Sequence, residues 1–172
     1  MRSGKDLPKL VAAAARGNGD ALGELYHRFC RLVHGVLVSR MRHEDAEDLV
    51  QEVFMHAFAH LRELREPAAF GGWICAIARR RAVDHFRRDH PTEPLEDKFS
   101  ARERPDISAE AHAALDAIQT LPEAYRETLA LRLIEGLSGP EIAAATGLTP
   151  DSVRVNLHRG FRLLRERLGA AS

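Results

Sequence analysis

The stretch SGPEIAAATGLTPDSVRVNLHRGFRLLR, Ser138 to Arg165, decides the fold of the second half of the chain. Ser138 and Glu141 have the spacing of a capping box ahead of Ile142, with Pro140 in the first helical turn. Gly147 stops the short helix that follows, and Thr149 caps a longer one with Pro150 at its first position. Two helices joined by so short a turn have the layout of a helix-turn-helix. Ala143 and Ala144 are small enough for a close crossing. Ile142, Leu148, Val153 and Leu157 are expected to fill the wedge, and the stripe Val153, Leu157, Leu164 and Leu168 to face inward. Asp151, Ser152, Arg154, Asn156, His158, Arg159 and Arg162 are left outward, a set rich in donors for phosphates and base edges. The competing reading is an ordinary helical hairpin with a solvated basic face.

Upstream of this block the periodicity is helical almost everywhere. Ala111 to Gln119 reads as a helix, and Thr120 and Glu123 have capping-box spacing ahead of Tyr125 to Glu135. Asp89 to Ile107 carries Pro91, Pro94 and Pro105, mixed charges and few apolar residues. It is long for a loop inside one domain and reads as a flexible interdomain linker. Before it, apolar steps of three and four run through Ala21 to Met41, through Ala46 to Leu61, and from Phe70 to Phe86. Leu64 to Ala69 reads as a loop, and a short leading helix near Leu7 to Ala15 as closed by Gly17 and Gly19. No strand pattern is visible. The expected architecture is all-α, with a helical domain over residues 5–89, a linker over 90–106 and a helix-turn-helix domain over 107–168.

Net charge is zero, with 25 basic and 25 acidic residues, but the charges are segregated. Arg79, Arg80, Arg81, Arg87 and Arg88 lie close together, as do Arg154, Arg159, Arg162, Arg165 and Arg167. Glu44, Asp45, Glu47, Asp48 and Glu52 form an acidic run. Two basic stretches and one acidic stretch point to two kinds of partner. Trp73 beside the first Arg cluster suits single-stranded or melted DNA, where a base can stack; its competing role is plain core. The acids at Glu44 to Asp48 suit a helix N-terminus, whereas Glu52 lies too far along for that account. Leu49, Val53 and Phe54 are expected to remain partly available to a partner once the core is filled.

Catalysis finds little support. The chain has no glycine-rich phosphate loop and no nucleophile motif, so no cofactor is expected. Glu52, His56 and His60 follow one another at helical spacing, but the paired Glu-x-x-His motifs of di-iron bundles are missing and no Cys-x-x-Cys occurs, so no metal is expected. Cys30 and Cys75 are too few for a disulfide framework and fit a reducing cytoplasm. No run of eighteen apolar residues occurs, so no membrane insertion is expected.

Three stretches in order resemble one family. DAEDLVQEVF, Asp45 to Phe54, is similar to the core-polymerase-binding region of bacterial sigma factors. WICAIARRRAVDHFRR, Trp73 to Arg88, resembles their −10 recognition helix. Leu121 to Leu168 resembles their −35-binding domain, and the lengths match the two-domain extracytoplasmic-function (ECF) subfamily of sigma-70 factors. The resemblance implies a non-enzymatic transcription initiation factor that binds core RNA polymerase and promoter DNA and is held in check by an anti-sigma factor. It places polymerase binding on Asp48, Leu49, Gln51, Glu52 and Phe54. It places −10 recognition on Trp73, Arg79, Arg80, Arg87 and Arg88, with base capture by the loop from Glu66 to Gly72. It places −35 recognition on Ser152, Arg154, Asn156, His158, Arg159 and Arg162. Arg80 stands where the family often has Asn, and Asn156 and Phe161 where it often has Arg, so the promoter sequence is not implied. The rival is an autonomous helix-turn-helix regulator that acts without polymerase.

Overall fold

The computed structural model describes residues 6–89 and 109–170. The linker expected over 90–106 lies outside the described residues. Eight α-helices are described: α1 (Leu7–Ala15), α2 (Gly19–Val38), α3 (His43–Ala59), α4 (Phe70–Asp89), α5 (Ala109–Gln119), α6 (Glu123–Leu133), α7 (Gly139–Thr146) and α8 (Pro150–Ala170). Two short 3-10 turns carry the chain from α3 to α4: Leu61–Glu63, at the end of the expected helical pattern, and Pro67–Ala69, inside the stretch Leu64 to Ala69 expected as a plain loop.

Local chemistry explains most boundaries. Gly17 ends α1 with φ of 86°, a left-handed conformation that glycine adopts without a Cβ clash. Gly19 does not help to close α1 but opens α2, because the Asn18 side chain accepts from the Ala21 amide at 2.8 Å and caps it. The capping box at Ser138 and Glu141 forms, and its hydrogen bonds hold the Glu141 carboxyl below the usual carboxylate range. Gly147 closes α7 with φ of 76°, and Thr149 accepts from the Ser152 amide at 3.1 Å. The capping box expected at Thr120 does not form. The Thr120 hydroxyl donates back to the Ala117 carbonyl, and Pro122, which cannot cap through its side chain, precedes α6.

Helices α1 to α4 bury Leu25, Val33, Val36, Leu37, Val53, Phe70 and Ile74 completely or nearly so. This core does not stop at the N-terminal bundle. Ala130 and Leu131 of α6, Ile142 and Ala143 of α7 and Val153 of α8 belong to the same cluster. A smaller second core, Ala117, Ile118, Leu121, Leu129 and Leu164, ties α5, α6 and α8 together. Two expectations for the wedge need correction. Leu148 is 38% exposed because it sits in the turn itself, and Leu168, near the end of α8, is 36% exposed.

The C-terminal module depends on one close approach. A Cβ added at Gly160 would lie 3.0 Å from Leu129 Cδ1 and 3.3 Å from Tyr125 Cβ, so α8 crosses α6 closely enough that a side chain there must push its neighbours aside. Gly160→Val is expected to destabilise the chain by about 1–3 kcal/mol through overpacking, more than a better helix former returns. A lowered melting midpoint by circular dichroism checks this; an unchanged midpoint would show that α6 and α8 yield freely.

Candidate nucleic-acid interface

Helix α8 is positioned by Val153, 1% exposed, and by Gly160 and Leu164. With that stripe buried, the solvent face presents Asp151, Ser152, Arg154, His158, Arg159 and Arg162, all exposed, with Asn156 half-buried. Arg154 pairs with Asp151 at 3.2 Å and Arg162 with Glu166 at 3.5 Å; such exposed pairs hold about 0–1 kcal/mol each and yield readily to a phosphate. The first turn of α8 therefore offers hydroxyls and guanidinium groups from a rigid helix end.

Helix α4 carries the second basic surface. Arg80, Arg87 and Arg88 are exposed. Trp73 is half-buried and borders a cavity of about 470 Å³ between α3 and α4, which His56, His60, Ile77, Arg80 and Arg81 also line. Its lining mixes apolar side chains, Trp73 and Ile77, with the cations Arg80 and Arg81 and the acids Glu63 and Asp84. Burial first, then the charges of Arg81 and His60, push the His56 imidazole below its ordinary range. His56 Nδ1 accepts from Arg81 Nη2 at 2.9 Å, since a guanidinium can only donate. His60 Nδ1 is 2.8 Å from the His56 carbonyl oxygen and donates to it. In the stripe Glu52, His56, His60 the two Nδ1 atoms are thereby engaged inside the protein, and no metal-holding group of three ligands is found among the described residues.

The acidic surface lies on α3. Asp48, Gln51 and Glu52 are exposed and share their face with Met55, 72% exposed. Leu49, Val53 and Phe54, expected to remain partly available, are instead 3%, 0% and 2% exposed. The reason is Tyr26 and Phe58, whose rings pack on Phe54 at 4.7 and 5.5 Å, while the main core closes over the other two. Met55 was missed, though its place one turn beyond Gln51 and Glu52 was a readable signal.

Arg79 behaves differently from its neighbours. Its Nη2 and Nε lie 2.6 and 3.0 Å from the two carboxylate oxygens of Glu127 on α6. Arg40 Nη1 reaches the same carboxylate at 2.9 Å, and its Nη2 reaches Glu123 at 2.7 Å. Burial pushes the Glu127 carboxyl up, but the Arg79 hydrogen bonds and the Arg40 charge outweigh it and hold it below the usual range. Nearby, Gln119 Nε2 donates to the Val38 and Met41 carbonyls at 3.1 and 2.8 Å, closing the end of α2. Glu135 meets His34 Nδ1 at 2.6 Å and Arg31 Nε at 3.3 Å. Leu131 sits on Gly35, where an added Cβ would come within 2.6 Å of its Cδ2. Sequence reading found none of these contacts, because they join residues far apart along the chain.

Two family models match this chain, sigma-70 region 2 over residues 25–92 and sigma-70 region 4 over residues 111–164. The RNA polymerase sigma factor CarQ of Myxococcus xanthus is 32% identical over 166 residues, covering 89% of this chain and 92% of its own. The ECF RNA polymerase sigma factor SigD of Mycobacterium tuberculosis is 31% identical, covering 98% of this chain and 86% of its own.

This chain belongs to the ECF subfamily of sigma-70 factors.

The structure of CnrH, solved in complex with the cytosolic domain of CnrY, matches this sigma factor with a TM-score of 0.65 and 27% identity, over 96% of this chain and 99% of that one. The RpoE structure from Bartonella quintana, 20% identical with a TM-score of 0.60, shares the fold. In this sigma factor the basic face of α4 falls within the matched region 2 and that of α8 within region 4. No helix among the described residues is long and apolar enough to cross a membrane.

Proposed function

We propose that this sigma factor divides promoter-directed initiation among three surfaces. Asp48, Gln51, Glu52 and Met55 form the docking face for core RNA polymerase, with Leu49 and Phe54 acting from beneath by holding α3 in place. Acidic side chains around an exposed thioether suit a basic helical partner, since charge sets orientation and the apolar centre supplies burial.

Trp73, Arg80, Arg87 and Arg88 read the −10 element as single strand. The cavity beside Trp73 takes an unstacked base, and the guanidinium groups hold the backbone. Arg79 joins them once Glu127 has moved away. Ser152, Arg154, Asn156, His158, Arg159 and Arg162 enter the −35 major groove, the residues nearest the N-terminus of α8 meeting base edges and the later ones phosphates. The helical domain runs over 5–89, the linker over 90–106 and the helix-turn-helix domain over 107–168. The linker lets two modules reach two DNA elements. The factor works in the cytoplasm, where polymerase is, without catalysing a reaction itself. Like CnrH, whose structure holds part of CnrY, it is restrained by an anti-sigma factor.

One observation carries this reading: a single chain combines sigma-70 regions 2 and 4 with an exposed acidic face on α3 and an exposed basic face on α8. The test is co-elution of the purified chain with sigma-free core polymerase on a sizing column. A stable one-to-one complex is expected. A folded chain that fails to co-elute, while a control sigma factor does, would return the assignment to a polymerase-independent regulator.

A further inference from the structure

We propose that Arg40 and Arg79 together form a phosphate-binding cleft for the DNA backbone, and that Glu127 occupies this cleft as an internal substitute for the phosphodiester. The inference rests on the reading of this chain as a promoter-binding factor and adds a site, and its occupant, to that reading.

The geometry is that of an occupied anion site. The Glu127 carboxylate takes a two-pronged hydrogen-bonded contact from Arg79 and an ion pair from Arg40 Nη1 at 2.9 Å. A guanidinium fork matches carboxylate and phosphate oxygens alike, so a site built for one receives the other. Arg40 is held in place independently of its ligand. Its Nη1 donates to Ser39 Oγ at 2.8 Å and to the Val36 carbonyl at 3.3 Å, and the Ser39 hydroxyl itself donates to Val36. These anchors lie at the end of α2 and remain when α6 departs. Both acids on Arg40, Glu123 and Glu127, ride on α6. Withdrawal of α6 therefore removes both carboxylates at once and leaves two guanidinium groups facing the space of one. Like charges so placed draw in an anion.

Nucleic acid is the anion that fits the surroundings. Arg79 sits on the helix that also carries the exposed Arg80, Arg87 and Arg88, so the cleft belongs to an element already rich in positive charge. The substitution also accounts for a mismatch in the closed arrangement. The Arg79 side chain, expected to hold a strand, is committed to an acid of its own chain.

The site can be opened from two independent directions. Glu127→Ala removes the occupant. Gly35→Ala leaves Glu127, Arg40 and Arg79 untouched but places a methyl group where Leu131 Cδ2 and Glu135 Cγ now lie, at 2.6 and 2.9 Å from its position. Opening is read by peptide-mapped alkylation of Cys75. That thiol is fully buried, and its Sγ lies 3.7 Å from the Ala145 carbonyl across the junction of α4 and α7.

The experiment measures the anisotropy of a fluorescein-labelled single-stranded deoxyoligonucleotide with the full-length chain. Both variants are expected to bind about tenfold or more tightly than the parent, since apparent affinity scales with the competent fraction. Adding Arg40→Gln to either should abolish the gain and flatten the salt dependence by about one phosphate contact. The proposal is overturned if Cys75 becomes reactive with no gain in DNA binding, if the gain survives Arg40→Gln, or if neither variant changes alkylation or affinity. Core polymerase binding by the parent chain is followed in parallel. Its failure would sink the sigma-factor reading, whereas the oligonucleotide series judges the cleft alone.

Discussion

Replacing Asp48 and Glu52 together by arginine is expected to abolish assembly with core RNA polymerase while leaving the helices intact. Both side chains are exposed, four residues apart on one face of α3, and both lie beyond the first helical turn, where acids would stabilise the helix dipole. Exposed substitutions of this kind change stability by about 0.5 kcal/mol or less. The effect on docking is of another size. Like charges set against each other at an interface cost several kcal/mol, so the affinity should fall by about a hundredfold or more. Sizing-column co-elution with core polymerase, beside a thermal melt by circular dichroism, checks both halves. Normal co-elution of a folded double variant would remove α3 from the interface.

The pair Arg154→Ala and Arg159→Ala is expected to leave that assembly untouched and to remove recognition of the −35 element. Both side chains are exposed on α8, and neither contributes to the core that seats the helix. Loss of the Arg154 pairing with Asp151 is nearly free, because the two side chains are 78% and 86% exposed. Each base-edge or phosphate contact is worth about 1–3 kcal/mol, so holoenzyme affinity for a double-stranded −35 site should drop by about thirtyfold or more. Footprinting with the assembled holoenzyme checks this, with the single-stranded −10 contact as internal control. Unchanged −35 protection would move recognition elsewhere on the module.

Much of the fold was legible because its signals are local. The capping box at Ser138 and Glu141, the left-handed Gly147 and the Thr149 cap each act within one helical turn, and each formed as read. Thr120 failed for the same local reason: Pro122 intervened, and the hydroxyl found a carbonyl behind it. The exposure of the candidate residues was legible wherever charge marks a solvent face, as on α8 and on Asp48, Gln51 and Glu52 of α3. It was not legible where tertiary packing decides exposure. Leu49 and Phe54 have the spacing of a docking stripe, but only the folded bundle shows that Tyr26 and Phe58 have already claimed Phe54. Nor could spacing reveal that Arg79 meets Glu127, or that Gly35 is small to admit Leu131, since these pairs depend on how α6 lies against α2 and α4.

The acidic face of α3 stays open to solvent while Glu127 still grips Arg40 and Arg79. A partner that holds only this face meets the same surface whether the two halves of the chain are together or apart. A ligand with equal affinity for two conformations shifts neither population, however tightly it binds. Capture through α3 alone therefore cannot drive the halves apart. Separation requires a second grip, on surface that exists only after they part, and its differential affinity must exceed the free energy of closure. If α3 is the docking face, recruitment and release of the two basic helices are thermodynamically separate events, and the chain would respond only to a partner that makes both contacts.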